Sequence, residues 1–303
     1  MTTIPVPSPA APTREVVDVA GSTLSALVCE VPEPRAVVFA VHGGATTSAY
    51  FDCPGRPRLS LLRTAAGLGF TAIALDRPGY GASAADAERF PTAGQRLDAV
   101  VAALEVLLAH RDTGAGVFLL AHSAGCETVL RLAGGDRVPG VIGIELAGTG
   151  LRHARGGTGA RTPEPRRDAP PAPGRSALRA LLWGPEELYP SDVYADGRIA
   201  ARFPAYEYEW EARSWTEDFS RLAGRVRVPV QFSLGEHERV WCSGPGALAE
   251  VAACFTASPL VRTYEQAHAG HNLSLGLTAR AYHLRALAFA EECAVLRETD
   301  GAR

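Results

Sequence analysis

Short, nearly unbroken apolar runs alternate with amphipathic stretches along most of this 303-residue chain. Runs rich in Val, Ile and Leu predict strands at Val16–Val19, Leu24–Val31, Val37–Val41, Thr71–Leu75, Val117–Ala121, Val141–Leu146, Val230–Leu234 and Leu260–Tyr264. Helical spacing lies between them, at Leu59–Gly67, Ala93–His110, Ser123–Leu132, Gly246–Cys254 and Thr278–Arg297. A strand apolar on both faces needs cover on both faces. The alternation therefore predicts an α/β fold, a mostly parallel sheet flanked by helices. The first two strands, joined at Gly21-Ser22, read instead as an antiparallel hairpin at one edge.

The rhythm lapses between about Thr149 and Gly224. Residues 152–175 are rich in Gly, Pro and Arg, which predicts a mobile loop. Trp183 to Phe219 is dense in aromatics, enough to pack as short helices. It reads as a cap over the C-terminal edge of the sheet, the alternative being an accessory helix pair on one flank. The chain thus divides into a flexible N-terminus (1–13), a core domain (14–148 and 225–303) and a cap insertion (149–224).

Composition narrows the chemistry only a little. A hydrophobic content of 47% with 21% charged residues describes an ordinary globular protein, and a net charge of -3 gives no general affinity for nucleic acid or anionic membrane. All basic side chains are Arg, so Schiff-base lysine chemistry is excluded. Met1 to Pro12 lacks the basic start and apolar run of a secretion signal, and no stretch is apolar enough to span a bilayer, so a cytoplasmic location is expected. The six cysteines are scattered without a C-x-x-C pair and are expected to be reduced and without metal.

The most telling residues are Ala121-His122-Ser123-Ala124-Gly125. A strand that turns tightly into a helix lifts the side chain between them clear of both, and small residues on either side allow the close passage. This is the nucleophile elbow, G-x-S-x-G, with Ala121 in the first glycine's place. A serine hydroxyl needs a base to remove its proton and an acid to orient that base, following in the order Ser, acid, His. His271, after Gly270 and before the last helix, is the expected base, with His268 its rival. Glu238, third after the strand-ending Gly235, is the expected acid; Glu145 is the alternative and Glu236 the third choice. His42-Gly43-Gly44-Ala45 follows a buried strand and supplies a glycine loop. The N–H of Gly44 or Ala45, with that of Ala124, would form an oxyanion hole. His42, Asp76 and Arg77 read as loop braces. Tyr50 and the cap aromatics Trp183, Tyr206, Trp210 and Trp215 are candidates to contact an apolar or aromatic acyl group.

Taken in order, His42-Gly43-Gly44, Asp76-Arg77-Pro78-Gly79-Tyr80-Gly81, Ala121-His122-Ser123-Ala124-Gly125, Gly235-Glu236-His237-Glu238 and Gly270-His271 resemble the α/β-hydrolase superfamily. The resemblance runs from Val16 to Arg297, apart from residues 152–175. It implies an α/β-hydrolase fold of eight strands, one of them antiparallel, with a helical cap between strands 6 and 7 and no metal or organic cofactor. Two departures stand out: Ala121 for glycine, and Glu where the family's acid is usually Asp. The second keeps Glu145 open, because some members carry the acid at the end of strand 6.

The resulting expectation is a serine hydrolase of a carboxylic ester or thioester, acting through an acyl-enzyme on a small-molecule acyl substrate. A second reading is an acyltransferase of a bacterial natural-product pathway. It would move an acyl group through Ser123 from a thioester donor, which the Arg-rich stretch could receive as an acyl carrier protein. A third is a non-catalytic ligand-binding member or a lyase. Labelling of Ser123 by a fluorophosphonate separates the third from the first two.

Overall fold

The computed structural model describes residues 10–19, 21–135, 137–154, 175–195, 198–210 and 215–301. The loop expected at 152–175 falls almost wholly outside them, as do residues 1–9.

Eight strands form one sheet: β1 (Thr13–Val19), β2 (Ser22–Cys29), β3 (Val37–Val41), β4 (Thr71–Leu75), β5 (Val117–His122), β6 (Val141–Ala147), β7 (Val230–Gly235) and β8 (Val261–Gln266). Their spatial order is β1-β2-β4-β3-β5-β6-β7-β8. β2 is antiparallel to both its neighbours, and every pair from β4 to β8 is parallel. This is the α/β-hydrolase fold expected from the sequence, and each strand lies where its apolar run predicted. β2 stops at Cys29 rather than Val31. Pro32 and Pro34 bring no backbone donors, and Glu33 between them takes a left-handed φ of 46°, which turns the chain out of the ladder.

The described helices are α1 (Leu61–Gly67), α2 (Ala93–Leu108), α3 (Gly125–Gly134), α4 (Arg175–Trp183), α5 (Ser191–Ala195), α6 (Ala205–Trp210), α7 (Trp215–Ala223), α8 (Pro245–Ala253) and α9 (Ala279–Gly301). α2 shows why these residues form a helix. Thr92 accepts the Gln95 N–H while the Gln95 side chain accepts the Thr92 N–H, a reciprocal cap. Behind it Ala99, Val100, Ala103, Leu104 and Leu107 recur at helical spacing and are buried. Side chains of α2, α3 and α8 pack one face of the sheet, and those of α1 and α9 the other. α4 to α7 occupy the chain between β6 and β7. Among the described residues no helix is long and apolar enough to cross a membrane, and all six cysteines are free thiols.

The helix after β5 begins at Gly125, two residues later than its amphipathic pattern suggests, because Ser123 takes a left-handed φ of 50°. α3 then passes so close to β3 that a Cβ on Gly125 would lie 2.4 Å from the Val41 carbonyl oxygen and 2.6 Å from that of His42. Both obstacles are backbone. Gly125→Ala is therefore expected to cost about 2 kcal/mol or more of stability, read from urea unfolding midpoints; an unchanged midpoint would contradict this packing.

Candidate active site

The C-terminal ends of β3, β5, β7 and β8 converge on one edge of the sheet. β5 delivers Ser123, held in the left-handed region by its N–H bond to Ala147 O (2.8 Å) and by the turn Cys126 N–H to Ser123 O (2.9 Å). A non-glycine residue in that region stores strain, which persists only where the surroundings enforce it. The surroundings here are tight: a Cβ on Gly43 would sit 3.0 Å from Ser123 Cβ and 2.9 Å from His122 Nδ1.

β8 leads into the loop that carries His271, whose Nε2 lies 3.1 Å from Ser123 Oγ. Its Nδ1 lies 3.0 and 2.9 Å from the two carboxylate oxygens of Glu238, which follows β7. The Glu238 side chain is fully buried, and its Oε1 also accepts the Val240 N–H at 2.8 Å. A carboxylate accepts and does not donate, so it fixes the imidazole proton on Nδ1. The Nε2 lone pair then faces the serine hydroxyl. Three distant stretches of chain thus make one hydrogen-bonded relay.

Neither rival group takes part. His268 is exposed and uses its backbone N–H on Glu236 (2.8 Å). Glu145 lies fully buried on β6 among Gln231, Ser233 and Tyr282, and among the described residues neither of its oxygens completes a hydrogen bond. Burial pushes its pKa from 4.5 up to about 8, the polar neighbours only partly offsetting this. Between those values the folded chain keeps a proton that the unfolded chain has lost. Stability from this group is therefore full below about pH 4.5 and declines as pH rises towards 8. Glu145→Gln removes the titration. Its urea midpoint relative to the parent is expected to improve from about pH 5 to about pH 8; a pH-independent difference would refute the buried acid.

The glycine loop after β3 is braced from behind. His42 donates from Nδ1 to Gly43 O (2.7 Å) and accepts the Arg77 N–H at Nε2 (3.0 Å). Burial, then the nearby Arg77 charge, drives its pKa down to about 4, so it is neutral. Asp76 accepts from Ser48 N–H and Ser25 Oγ, both at 2.6 Å. Of the backbone donors expected for an oxyanion hole, Ala45 gives its N–H to Tyr80 Oη at 3.2 Å. Among the described residues the N–H groups of Gly44 and Ala124 have no acceptor.

His122 carries a role that its place in the elbow did not suggest. Its Nε2–H donates to the His271 carbonyl at 2.9 Å, and its ring stacks on Tyr50 at 4.5 Å. Burial, then the neighbouring His271, holds its pKa well below the usual histidine value, so it props the His271 loop as a neutral ring. Tyr50, expected beside the acyl group, is only 1% exposed and is surrounded by this stack, Phe51 and the Ser274 N–H. Gly270 is required because Tyr189 comes so near that a Cβ would meet its hydroxyl at 2.7 Å. Tyr189 Oη in turn accepts the Asn272 N–H at 3.3 Å.

The segment between β6 and β7 reaches the edge at several points. Ala200 bridges Thr46, and Ala201 N–H bonds Ala45 O at 2.9 Å. Glu207 of α6 makes a buried ion pair with Arg77. Phe203 lies against the glycine loop, where a Cβ on Gly44 would touch its ring at 2.8 Å. A small cleft opens beside Ala124, lined by Arg77, Arg96, Glu127, Tyr206 and Glu207. Tyr206 stands in it with its hydroxyl on Pro78 O and the Arg96 guanidinium 4.0 Å above its ring. Trp183 is half-buried against Tyr189 and Tyr194. The Trp210 and Trp215 side chains lie outside the described residues.

Comparison with known proteins agrees with this fold. A model described as the alpha/beta hydrolase family matches residues 37–292. No curated protein matches the chain by sequence. Among solved structures it is similar to the thioesterase domain from the curacin biosynthetic pathway: 17% identity, 92% of this chain and 100% of that one, TM-score 0.59. It is also similar to the monoacylglycerol lipase of Paleococcus ferrophilus, with 20% identity, 89% and 99% coverage and TM-score 0.61. A lipase in its open form gives 19% identity, 94% and 99% coverage and TM-score 0.65. At these identities the likeness is one of fold.

Proposed function

The chain belongs to the α/β-hydrolase family, and from that premise we propose that it is a serine hydrolase of carboxylic esters or thioesters, working through an acyl-enzyme. The observation that carries the reading is the unbroken relay from Ser123 Oγ through His271 to the buried Glu238 carboxylate. In the first step Ser123 Oγ attacks the substrate carbonyl carbon as His271 Nε2 takes its proton. The Gly44 and Ala124 N–H groups bind the developing oxyanion. Collapse expels the alcohol or thiol, to which His271 returns the proton. A water deprotonated by the same nitrogen then attacks the acyl-serine and releases the acid, restoring Ser123. Glu238 stays ionised throughout and stabilises the imidazolium that forms twice per cycle.

The Phe203 ring against Gly44 supports an acyl group of apolar or aromatic character. The charged cleft beside Ala124 suits a polar leaving group.

The test is intact-mass spectrometry after brief mixing with an aromatic p-nitrophenyl ester and acid quench. A single acyl adduct that maps to Ser123 and disappears in water is the expected result. An adduct stable in water and discharged only by an added alcohol or thiol would make the protein an acyltransferase. No adduct, with Ser123 also inert to a fluorophosphonate, would overturn the acyl-enzyme.

A further inference from the structure

The two loops that carry Glu238 and His271 also carry, on their outer side, Glu236, His237 and His268. One ligand atom from each of these three lies within 4.8 Å of the others. We propose that these residues form a binding site for one divalent transition-metal ion of the Zn²⁺ type, which clamps the two loops together. The proposal concerns metal binding alone and stands independently of the acyl chemistry.

Two imidazoles and a carboxylate are a donor set that suits Zn²⁺, Ni²⁺ or Co²⁺ and not Mg²⁺, which prefers oxygen and water. Metal–ligand bonds near 2.0–2.2 Å put tetrahedral donors about 3.3 Å apart, so each side chain need move only about an ångström. His237 and Glu236 are free to make that move, their side chains being 39% and 43% exposed. The backbones that carry them are already in place: Glu236 N–H bonds Gln266 O (3.0 Å), and His237 N–H bonds Ala269 O (2.9 Å). His268 N–H bonds Glu236 Oε2 (2.8 Å). That contact also holds the Glu236 carboxyl below its usual range, so it meets a cation as an anion. His268 itself sits at a left-handed φ of 52°, a region that histidine enters more readily than most side chains. With three protein ligands on an open surface, the remaining position would be filled by water.

Isothermal titration of the chelator-treated full chain with ZnCl₂ tests the site. One ion per chain is expected, with affinity at least tenfold weaker in His237→Asn and in His268→Asn. A Zn²⁺-dependent rise in melting temperature should appear in the parent and vanish in both variants, while MgCl₂ has no effect. Cys242→Ser with Cys254→Ser, which removes the half-buried thiols as competing ligands, should bind as the parent does. Glu236→Gln provides an independent check should either histidine variant melt early without metal. Absence of binding to the parent, or parent-like binding by the histidine and glutamine variants, would overturn the proposal.

Discussion

Replacing Ser123 by alanine is expected to lower kcat/KM for activated esters by a thousandfold or more, leaving at most the roughly 10³-fold advantage over water that binding and oxyanion stabilisation alone can give. The size follows from the geometry. Without Oγ the imidazole at 3.1 Å has nothing to deprotonate, and the acyl group has nowhere to reside. Stability should fall by only about 1 kcal/mol, because alanine must adopt the same left-handed φ without a hydroxyl. A variant that folds and turns over such esters at the parent rate would end the assignment of Ser123 as nucleophile. Substrate-independent release of p-nitrophenol by surface groups is controlled for by following a thioester as well.

The second large effect separates the two carboxyls that the sequence left in competition. Glu238→Gln keeps the shape but places an amide against His271 Nδ1, now within 3 Å of a group able to donate. The ring then carries its proton on Nε2, where it can no longer accept one from Ser123. A loss on the order of 10³ to 10⁴ in kcat is expected by analogy with the Asp-to-Asn change in a serine protease triad. Glu145→Gln, by contrast, should leave kcat within about threefold, since that side chain meets Gln231, Ser233 and Tyr282 and not the imidazole. Steady-state rates of the two variants side by side give the answer. Reversal of their order would move the orienting acid to β6.

Much of this was legible in the chain because α/β folds write their core as nearly pure apolar runs. β3, β4 and β5 are buried from end to end, and apart from Thr71 and His122 they contain only Val, Ile, Leu, Ala and Phe. The candidate site then stands out as polar residues that close or follow each run: His42 after Val41, His122-Ser123 after Ala121, Glu236 to Glu238 after Gly235. What was less legible depends on contacts between residues remote in sequence. No pattern local to His122 says that its ring stacks on Tyr50, 72 positions earlier, or reaches the His271 carbonyl, 149 positions later. Nor does Glu207 announce its pairing with Arg77 across the edge of the sheet. Aromatic density between β6 and β7 signalled packing but could not say which rings face a ligand. The start of α3 was misplaced for the opposite reason. Its amphipathic pattern extends back to Ser123, but the left-handed turn at that residue delays the first helical hydrogen bonds.

Among the described residues the two outermost strands of the sheet have no strand on their outer flank, where a ladder of amides and carbonyls could recruit another chain. Both carry ionised side chains: Arg14, Glu15 and Asp18 on β1, Arg262 and Glu265 on β8, with Arg262 paired to Glu292 at 2.6 Å. Extending the sheet through either flank would desolvate these charges beside a neighbour's backbone. The rims therefore oppose fibrillar growth, and the molecule can keep a long, strongly apolar central ladder without seeding aggregation at its margins.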